Sequence, residues 1–580
     1  MMTILDLSVH TDAQADAAPA RPLRLSVDNL NVGFSRDGAV RPVVKNVSFD
    51  LEEGRCVAIV GESGSGKSVT ARTLVGLTGQ NAVVDGGIRL GNDDLTALSP
   101  RRWRSIRGRR IGFILQDALV SLDPLRPVGK EIEEALALHG WGDRASRKRK
   151  VLDLLTSVGV PSPGNRARQR PDELSGGLRQ RALIASAIAL DPEIVIADEP
   201  TTALDVTVQA QVLLLLEEMK QRGVSIILIS HDLSVVAHLA DEILVMSGGE
   251  VVEQGTAHAI LTDPQHPYTR SLINAVPSRD TRGSRLSPAT EVALAHTAAH
   301  ANDEHAAFDG PVLEADGLVK HFTAPDGTRT TAVNDVSFTL GRGETLGIVG
   351  ESGSGKSTTA RIALALEQAD AGTVRLLGQD WSAVPEARRR RLRKQISVVY
   401  QDPLSSFDPR WNTERILLDS LPAGAFATAA AKRERVLALL AQVGLPDTVL
   451  NRFPLQLSGG QRQRVAIARA LAPSPSIVVL DEAVSALDVS IQAQILDLLV
   501  DLQKEFGLSY LFISHDLGVI SHMSDRVLVM KDGFVVESGT ADQVFTAPAH
   551  PYTQELLGAL QTLDEDRSVT VAPAPTEGTR

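Results

Sequence analysis

The stretch Gly61-Glu62-Ser63-Gly64-Ser65-Gly66-Lys67-Ser68 returns letter for letter at Gly350–Ser357. Each copy follows a short apolar run, at Val57–Val60 and Thr345–Val349, and opens a stretch patterned as a helix. Strand, glycine loop and helix together are the context a phosphate-binding loop needs. Gly61, Gly64 and Gly66, like Gly350, Gly353 and Gly355, let the backbone wrap with its N–H groups aimed at phosphate oxygens. Lys67 and Lys356 add a point charge, and the hydroxyls of Ser68 and Ser357 are suited to Mg²⁺. A glycine turn beside a solvated lysine explains one such loop, but not two in register.

Outward from the loops, more of the chain repeats in the same order. LSGG at Leu174–Gly177 recurs at Leu457–Gly460, an offset of 283, and SHDL at Ser230 recurs at Ser514, an offset of 284, close to the 289 between the loops. A near-constant offset over so long a span means a duplicated domain of roughly 250 residues, not a short-period solenoid. The total of 580 residues is too long for one hydrophobic core. Runs at Ile194–Ala197, Ile226–Ile229, Ile477–Leu480 and Tyr510–Ile513 read as buried strands alternating with helical patterns. That alternation predicts an α/β fold with a largely parallel sheet in each copy.

Composition narrows the class. Hydrophobic residues at 43% and charged residues at 22% are ordinary for globular chains, so wholesale disorder and coiled-coil architectures are excluded. A net charge of -12 argues against coating nucleic acid. The single cysteine, Cys56, forms no intrachain disulfide and fits a reducing, cytosolic setting. No uncharged apolar stretch approaches the roughly 18 residues of a membrane span, and no basic leader precedes an apolar run. The expected division is a disordered tail at 1–20, a first nucleotide-binding domain at 21–256 with an extension at 257–277, and a flexible linker at 278–310. A second domain follows at 311–540, with an extension at 541–562 and a disordered tail at 563–580.

Two further constellations carry chemistry. IVIADE ends in Asp198 and Glu199, and IVVLDE ends in Asp481 and Glu482. Carboxylates at the end of a buried strand are costly unless they serve a cation or a reacting water, so Asp198 and Asp481 read as candidates for Mg²⁺ contacts, with Glu199 and Glu482 polarising an attacking water. Gln116 and Gln401, each following a strand, are placed to reach the metal or the water, and His231 and His515 to steady the γ-phosphate. Ser175, Gly176 and Gly177, like Ser458, Gly459 and Gly460, precede helices and form a second anion site with no ligand in their own domain.

Phosphate loop, glutamine, LSGGLRQR or LSGGQRQR, strand-DE, TALD or SALD ending at Asp205 and Asp488, and SHD together resemble the ATP-binding cassette (ABC) superfamily across both halves. The resemblance implies two tandem P-loop NTPase cassettes, each with a parallel-sheet core, a small antiparallel β subdomain and a helical signature subdomain. It implies ATP and Mg²⁺ as cofactors, with ATP contacts that extend to Ser63, Val69, Ser352 and Thr358, and adenine stacking on Phe34 and Phe322. It also implies a head-to-tail sandwich in which the LSGG of one cassette closes on the nucleotide of the other. HPYTRSL at His266–Leu272 and HPYTQEL at His550–Leu556 resemble the C-terminal signature of oligopeptide, dipeptide and nickel importer ATPases, and Gln116–Pro124 and Gln401–Pro409 resemble their permease-facing segment. The partners so implied are two integral-membrane permease subunits and a periplasmic or lipid-anchored solute-binding protein. The location implied is peripheral, on the cytoplasmic face of the inner membrane. The cysteines that hold an iron–sulfur cluster in some relatives are missing here.

Pairing of the two cassettes inside one chain is expected, because a linker of about 30 flexible residues reaches about 30 Å and gives an effective concentration on the order of millimolar. The composite sites would then be Lys67 with Ser458 and Lys356 with Ser175. Basic runs at Arg101–Arg110 and Arg388–Lys394 read as solvated helix faces. The rival function is a double-cassette ATPase acting on ribosomes or nucleic acid, which the HPYT segments and the acidic balance disfavour.

Overall fold

A computed structural model describes residues 22–36, 38–116, 121–201, 204, 206–288, 310–323, 327, 329–485 and 487–564, with side chains to 558. Residues 1–20, Asp205, the 289–309 part of the expected linker and 565–580 of the expected tail lie outside the described residues.

In each half the apolar runs become fully buried strands because both of their faces are covered. In Cys56–Val60, Val57 and Ile59 join one buried cluster with the antiparallel sheet, while Cys56, Ala58 and Val60 join another with the helices. Such two-sided burial is why the run is continuously apolar instead of alternating. The main sheet of the first half has the order Glu250–Thr256, Glu242–Ser247, Cys56–Val60, Ser225–Ile229, Ile194–Asp198, Ile111–Ile114. All its pairings are parallel except that of the edge hairpin formed by Glu242–Ser247 and Glu250–Thr256. The second half repeats this order with Phe534–Thr540, Arg526–Lys531, Thr345–Val349, Ser509–Ile513, Ile477–Asp481 and Ile396–Val399. Parallel pairing puts the carboxyl ends of the central strands on one edge, where Gly61, Glu199 and Ser230 emerge together.

A four-stranded antiparallel sheet packs on each main sheet. In the first half it is built from Leu23–Arg36, Ala39–Glu52, Ala82–Leu90 and Asp93–Asp94. In the second it is built from Leu313–Thr323, Arg329–Leu340, Ala371–Leu376 and Gln379–Asp380. Helices from Val128 to Ala187, and from Thr413 to Leu471, form the helical part that carries the LSGG segment. The α/β class and the division of each half into parallel core, antiparallel sheet and helical part agree with the sequence.

Two expectations need correction. Of the linker read at 278–310, residues 278–288 are docked on the second half. Arg282 pairs with Asp525 at 3.1 Å, Arg285 with Asp501 at 3.0 Å, and the N–H groups of Leu286 and Ser287 donate to the Asp497 carboxylate at 3.1 and 2.9 Å. Leu286 is buried, so the polar composition of this stretch reflects a charged latch around one apolar anchor. The basic runs are also not simply solvated faces. Arg107 donates to the carbonyls of Val75 and Gly76 at 2.7 Å each, just past the phosphate-loop helix, and Arg393 donates to Leu364 O at 2.7 Å in the matching place. Arg110 is held by Glu193 at 2.8 Å and Asp93 at 2.7 Å. The Arg107 and Arg393 guanidinium groups sit where a helix presents unpaired carbonyls and the negative end of its dipole.

Candidate functional site

Gly61 takes φ 145°, and a Cβ there would fall 2.1 Å from the Met246 carbonyl oxygen; Gly350 takes φ 149° with the Met530 carbonyl 2.2 Å away. Glycine is required at both loop starts because a neighbouring backbone already occupies the side-chain space. The loops run into the helices Lys67–Leu74 and Lys356–Ala363, with Ser63, Gly64, Ser352 and Gly353 exposed on their crests. Lys67 Nζ donates to the carbonyls of Gly61 and Glu62 at 2.6 and 2.9 Å, and Lys356 Nζ to those of Gly350 and Glu351 at 2.7 and 2.8 Å. Burial pulls the Lys67 ammonium below its ordinary range, against the pull of Asp488, Glu199, Asp198 and Glu62.

The residues predicted to serve metal and water converge on these loops. Ser68 Oγ donates to Asp198 Oδ1 at 2.9 Å, and Ser357 Oγ to Asp481 Oδ1 at 3.1 Å. Gln116 Nε2 donates to Glu199 Oε2 at 2.7 Å, as does Gln401 Nε2 to Glu482 Oε2. His231 Nδ1 lies 3.4 Å from Glu199 Oε2, and His515 Nδ1 3.5 Å from Glu482 Oε2. Glu199 and Glu482 hold left-handed backbone at φ 53° and 50°, a strained conformation for a non-glycine residue that aims each carboxylate past its strand end. Burial raises Asp198 and Asp481 above the usual carboxylate range. Burial also opposes charge on Glu482, but His515 and Lys356 hold it below that range.

A hard cation fits here. Asp198 is fully buried and its Oδ2 has no hydrogen-bond partner, an orphan acceptor beside the Ser68 hydroxyl. Among the described residues no cluster of three or more His, Cys, Asp or Glu forms a self-sufficient metal cage. The donor set is therefore incomplete without oxygen atoms from a phosphate ligand, as suits Mg²⁺.

The LSGG segments start the helices Gly176–Ala187 and Gly459–Leu471. They sit against their own cassette's next helix: a Cβ on Gly177 would lie 2.9 Å from Val208, and one on Gly460 2.8 Å from Ile491. Phe34 is half-buried on the antiparallel sheet, and Phe322, at the equivalent register, is exposed with Lys320 Nζ 5.4 Å from its ring centroid. His321 is occupied by Thr331 at 2.9 Å, leaving Phe322 as the exposed ring.

The two halves face each other through these elements. Thr207 Oγ1, at the start of a first-half helix, donates to Glu351 Oε1 of the second phosphate loop at 2.8 Å. Asp488 leaves its own helix uncapped; the charges that bear on it are Lys67, His231, Glu199 and Glu62, all of the first half. Between the sites a cavity of about 310 Å³ is lined from both sides by Gln209, His231 and Asp232 and by Gln492, His515 and Asp516. Burial, and then the Asp232 charge across the gap, raise the Asp516 carboxyl.

Sequence reasoning missed the contacts made by Thr207, Glu351 and the HPYT tyrosines. Tyr268 Oη accepts from Glu62 N–H at 3.0 Å, and Tyr552 Oη from Glu351 N–H at 3.1 Å. The repeat of HPYT at matching places was the available signal, but no spacing rule says that its tyrosine returns to a loop some 200 residues earlier.

Comparison with known proteins gives a concordant result. A family profile described as "ABC transporter" matches residues 44–202 and 333–485, and one described as "Oligopeptide/dipeptide transporter, C-terminal region" matches 252–300 and 536–579. The oligopeptide transport ATP-binding protein OppD of Mycobacterium tuberculosis is 42% identical over 94% of this chain and 99% of its own length. The glutathione import ATP-binding protein GsiA of Escherichia coli (strain K12) is 42% identical over 94% of this chain and 90% of its own.

Proposed function

Because this chain belongs to the ABC transporter family, with two cassettes and the oligopeptide/dipeptide C-terminal region after each, we propose that it is the ATPase subunit of an importer of oligopeptides or small peptides such as glutathione. The observation that carries the reading is the repeated cluster of Lys, Ser, Asp, Glu, Gln and His at the carboxyl ends of two parallel sheets, joined across one chain by the Thr207–Glu351 hydrogen bond. The reaction is in-line attack of water on the γ-phosphorus of ATP. Glu199 and Glu482 orient and polarise the water. Gln116 with His231, and Gln401 with His515, converge on the same oxygen, Oε2, of each glutamate, so that the carboxylate is oriented before substrate arrives. Lys67 and Lys356 leave their carbonyl partners to meet the β- and γ-phosphates. Mg²⁺, held by Ser68 or Ser357 with Asp198 or Asp481 and Gln116 or Gln401 close by, would neutralise charge on the phosphate oxygens.

The composite sites are Lys67 with Ser458 and Lys356 with Ser175, each closed by the LSGG helix of the other cassette. Closure and reopening deliver work to two separate permease chains, fed by a solute-binding protein, from the cytoplasmic face of the membrane. No helix among the described residues is long and apolar enough to cross a membrane. The ribosomal alternative has no supporting observation among the relatives, which are named as transport proteins.

The test is ATP turnover in Glu199→Gln and Glu482→Gln chains. Each change keeps size and removes charge, so turnover at its site should fall by about 10²–10⁴-fold with nucleotide binding retained. Near-normal turnover in the double variant would remove both glutamates from the mechanism.

A further inference from the structure

The HPYT tyrosines reach the lysines through a single peptide plane. The unit joining Gly61 to Glu62 gives its carbonyl oxygen to Lys67 Nζ at 2.6 Å and its N–H to Tyr268 Oη at 3.0 Å. Its counterpart joining Gly350 to Glu351 gives oxygen to Lys356 Nζ at 2.7 Å and N–H to Tyr552 Oη at 3.1 Å. The glycine that precedes each plane has no side chain to fix its own torsion angles, so the plane's orientation is set by what grips its two ends. One end is the lysine, which must leave when phosphate binds. The other is the phenol.

Each phenol is rigidly supplied. His266 opens the helix Pro267–Asn274 by accepting the Tyr268 N–H on Nδ1 at 3.2 Å, and Glu253 accepts the N–H groups of Gln265 and His266 at 2.7 and 3.1 Å. His550 does the same for Tyr552 at 3.1 Å, with Glu537 accepting from Ala549 and His550 at 2.8 and 3.1 Å. Histidine caps, proline fixes the first helical φ, and tyrosine reaches out; the motif reads as a mount for one hydroxyl. The Tyr552 ring is also pinned by Lys531 Nζ, 4.2 Å from its centroid. Burial pushes the Tyr268 phenol up to about 12, so it stays protonated at neutral pH.

We propose that Tyr268 and Tyr552 are positioning residues for Lys67 and Lys356, each phenol fixing the peptide on which the lysine is seated and thereby the grip on the ATP phosphates. The inference rests on reading these loops as nucleotide sites. The nucleotide sites thus depend on segments that lie beyond the cassette core in sequence. The second segment's helix, Pro551–Asp564, also packs against the helices Val206–Gln221 and Leu233–Leu239 of the first cassette.

The experiment uses the full chain with one site silenced. In a Glu482→Gln background, Tyr268→Phe keeps the ring and removes the hydroxyl. KM for ATP should rise roughly three- to ten-fold, with kcat and the thermal midpoint nearly unchanged. Binding of a fluorescent ATP analogue then separates a role through lysine from a general one. Tyr268→Phe should weaken binding by that factor when Lys67 is present and by less than about two-fold in Lys67→Ala. Tyr552→Phe in a Glu199→Gln background, paired with Lys356→Ala, repeats the test at the other site. Unchanged KM and affinity, additive losses, or a fall in kcat and midpoint with KM constant would each overturn the proposal. Lys67→Ala binding the analogue as well as the parent would overturn the nucleotide-site reading itself, and the proposal with it.

Discussion

The two cassettes carry the same chemistry and support it differently. Around each phosphate loop the distances agree within about 0.2 Å, from the lysine seats to the Ser–Asp, Gln–Glu and His–Glu pairs. The signature helices do not match so closely. Ser458 caps its helix by accepting the Gln461 N–H at 3.3 Å, while Gln461 Oε1 accepts the Ser458 N–H at 3.1 Å. Ser175 makes no such side-chain cap, and residue 178, leucine where the second copy has glutamine, offers no acceptor for the bond back to the Ser175 N–H. The one difference at residue 178 thus removes the side-chain half of a reciprocal capping box. Duplication preserves the side chains proposed to meet phosphate, metal and water, while the capping of the signature helix drifts. In the proposed pairing, Lys67 with Ser458 has the stiffer lid and Lys356 with Ser175 the looser one.

The strongest way to break this comparison is to block each lid. Ser458→Arg puts bulk and charge into the anion site facing Lys67. In a Glu482→Gln background it should cut the remaining turnover by about a hundred-fold, whereas Ser175→Arg there should do far less. Equal losses would mean that lids and loops are not paired as proposed. Engineered cysteines beside Lys67 and Ser458 that crosslink under ATP only between chains would also exclude intrachain pairing.

The next effect lies in the crossing contact. Thr207→Val removes the donor to Glu351 while keeping shape. A hydrogen bond to a charged group contributes about 1.5–3 kcal/mol, so nucleotide-driven closure at the Lys356 site should weaken by at least about ten-fold. The Lys67 site should change little, as single-site turnover in the two Glu→Gln backgrounds will report.

The histidines sharpen the comparison by pH. Burial works against charge on both, but Glu199 with Asp232 and Asp488 lifts His231 above its ordinary value, and Glu482 with Asp516 lifts His515, partly opposed by Lys356. A histidine raised on folding stabilises fully below about pH 6.5, and this stabilisation fades as pH rises through the folded value. His231→Asn with His515→Asn should therefore flatten the fall of the thermal midpoint above pH 6.5. Asp488→Asn should lower the His231 titration and leave that of His515 in place; an NMR titration in which both move, or neither does, would count against the crossing. The smallest effect is expected for Leu178→Gln, which supplies the missing capping partner and should stabilise the first signature helix by about 0.5–1 kcal/mol. Thermal unfolding measures it, and Gln461→Leu should give the opposite sign.

Most of the candidate site was legible in the chain because its chemistry is written in contiguous residues. GESGSGKS fixes its own loop: three glycines permit the wrap, and lysine and serine follow at the helix start. A strand that ends in Asp-Glu delivers two carboxylates whatever else the chain does. The duplicated order likewise fixed the domain count and the α/β class, since hydrophobic runs buried on both faces have few other packings. The tertiary structure decided what joins residues far apart in sequence. Tyr268 meets Glu62 across 206 positions, Thr207 meets Glu351 across 144, and Arg285 meets Asp501 across 216. None of these partners has a periodicity or a fixed spacing. The first two exist because parallel sheets gather their strand ends on one edge and the halves meet there, which brings a phosphate loop within reach of a phenol and of a helix N-terminus; the third is made where the docked latch lies along the helix Val489–Phe506. The segment at 278–288 makes the same point: its composition is that of a linker, and only burial of Leu286, with Asp497 waiting for two backbone N–H groups, makes it part of the second cassette's surface.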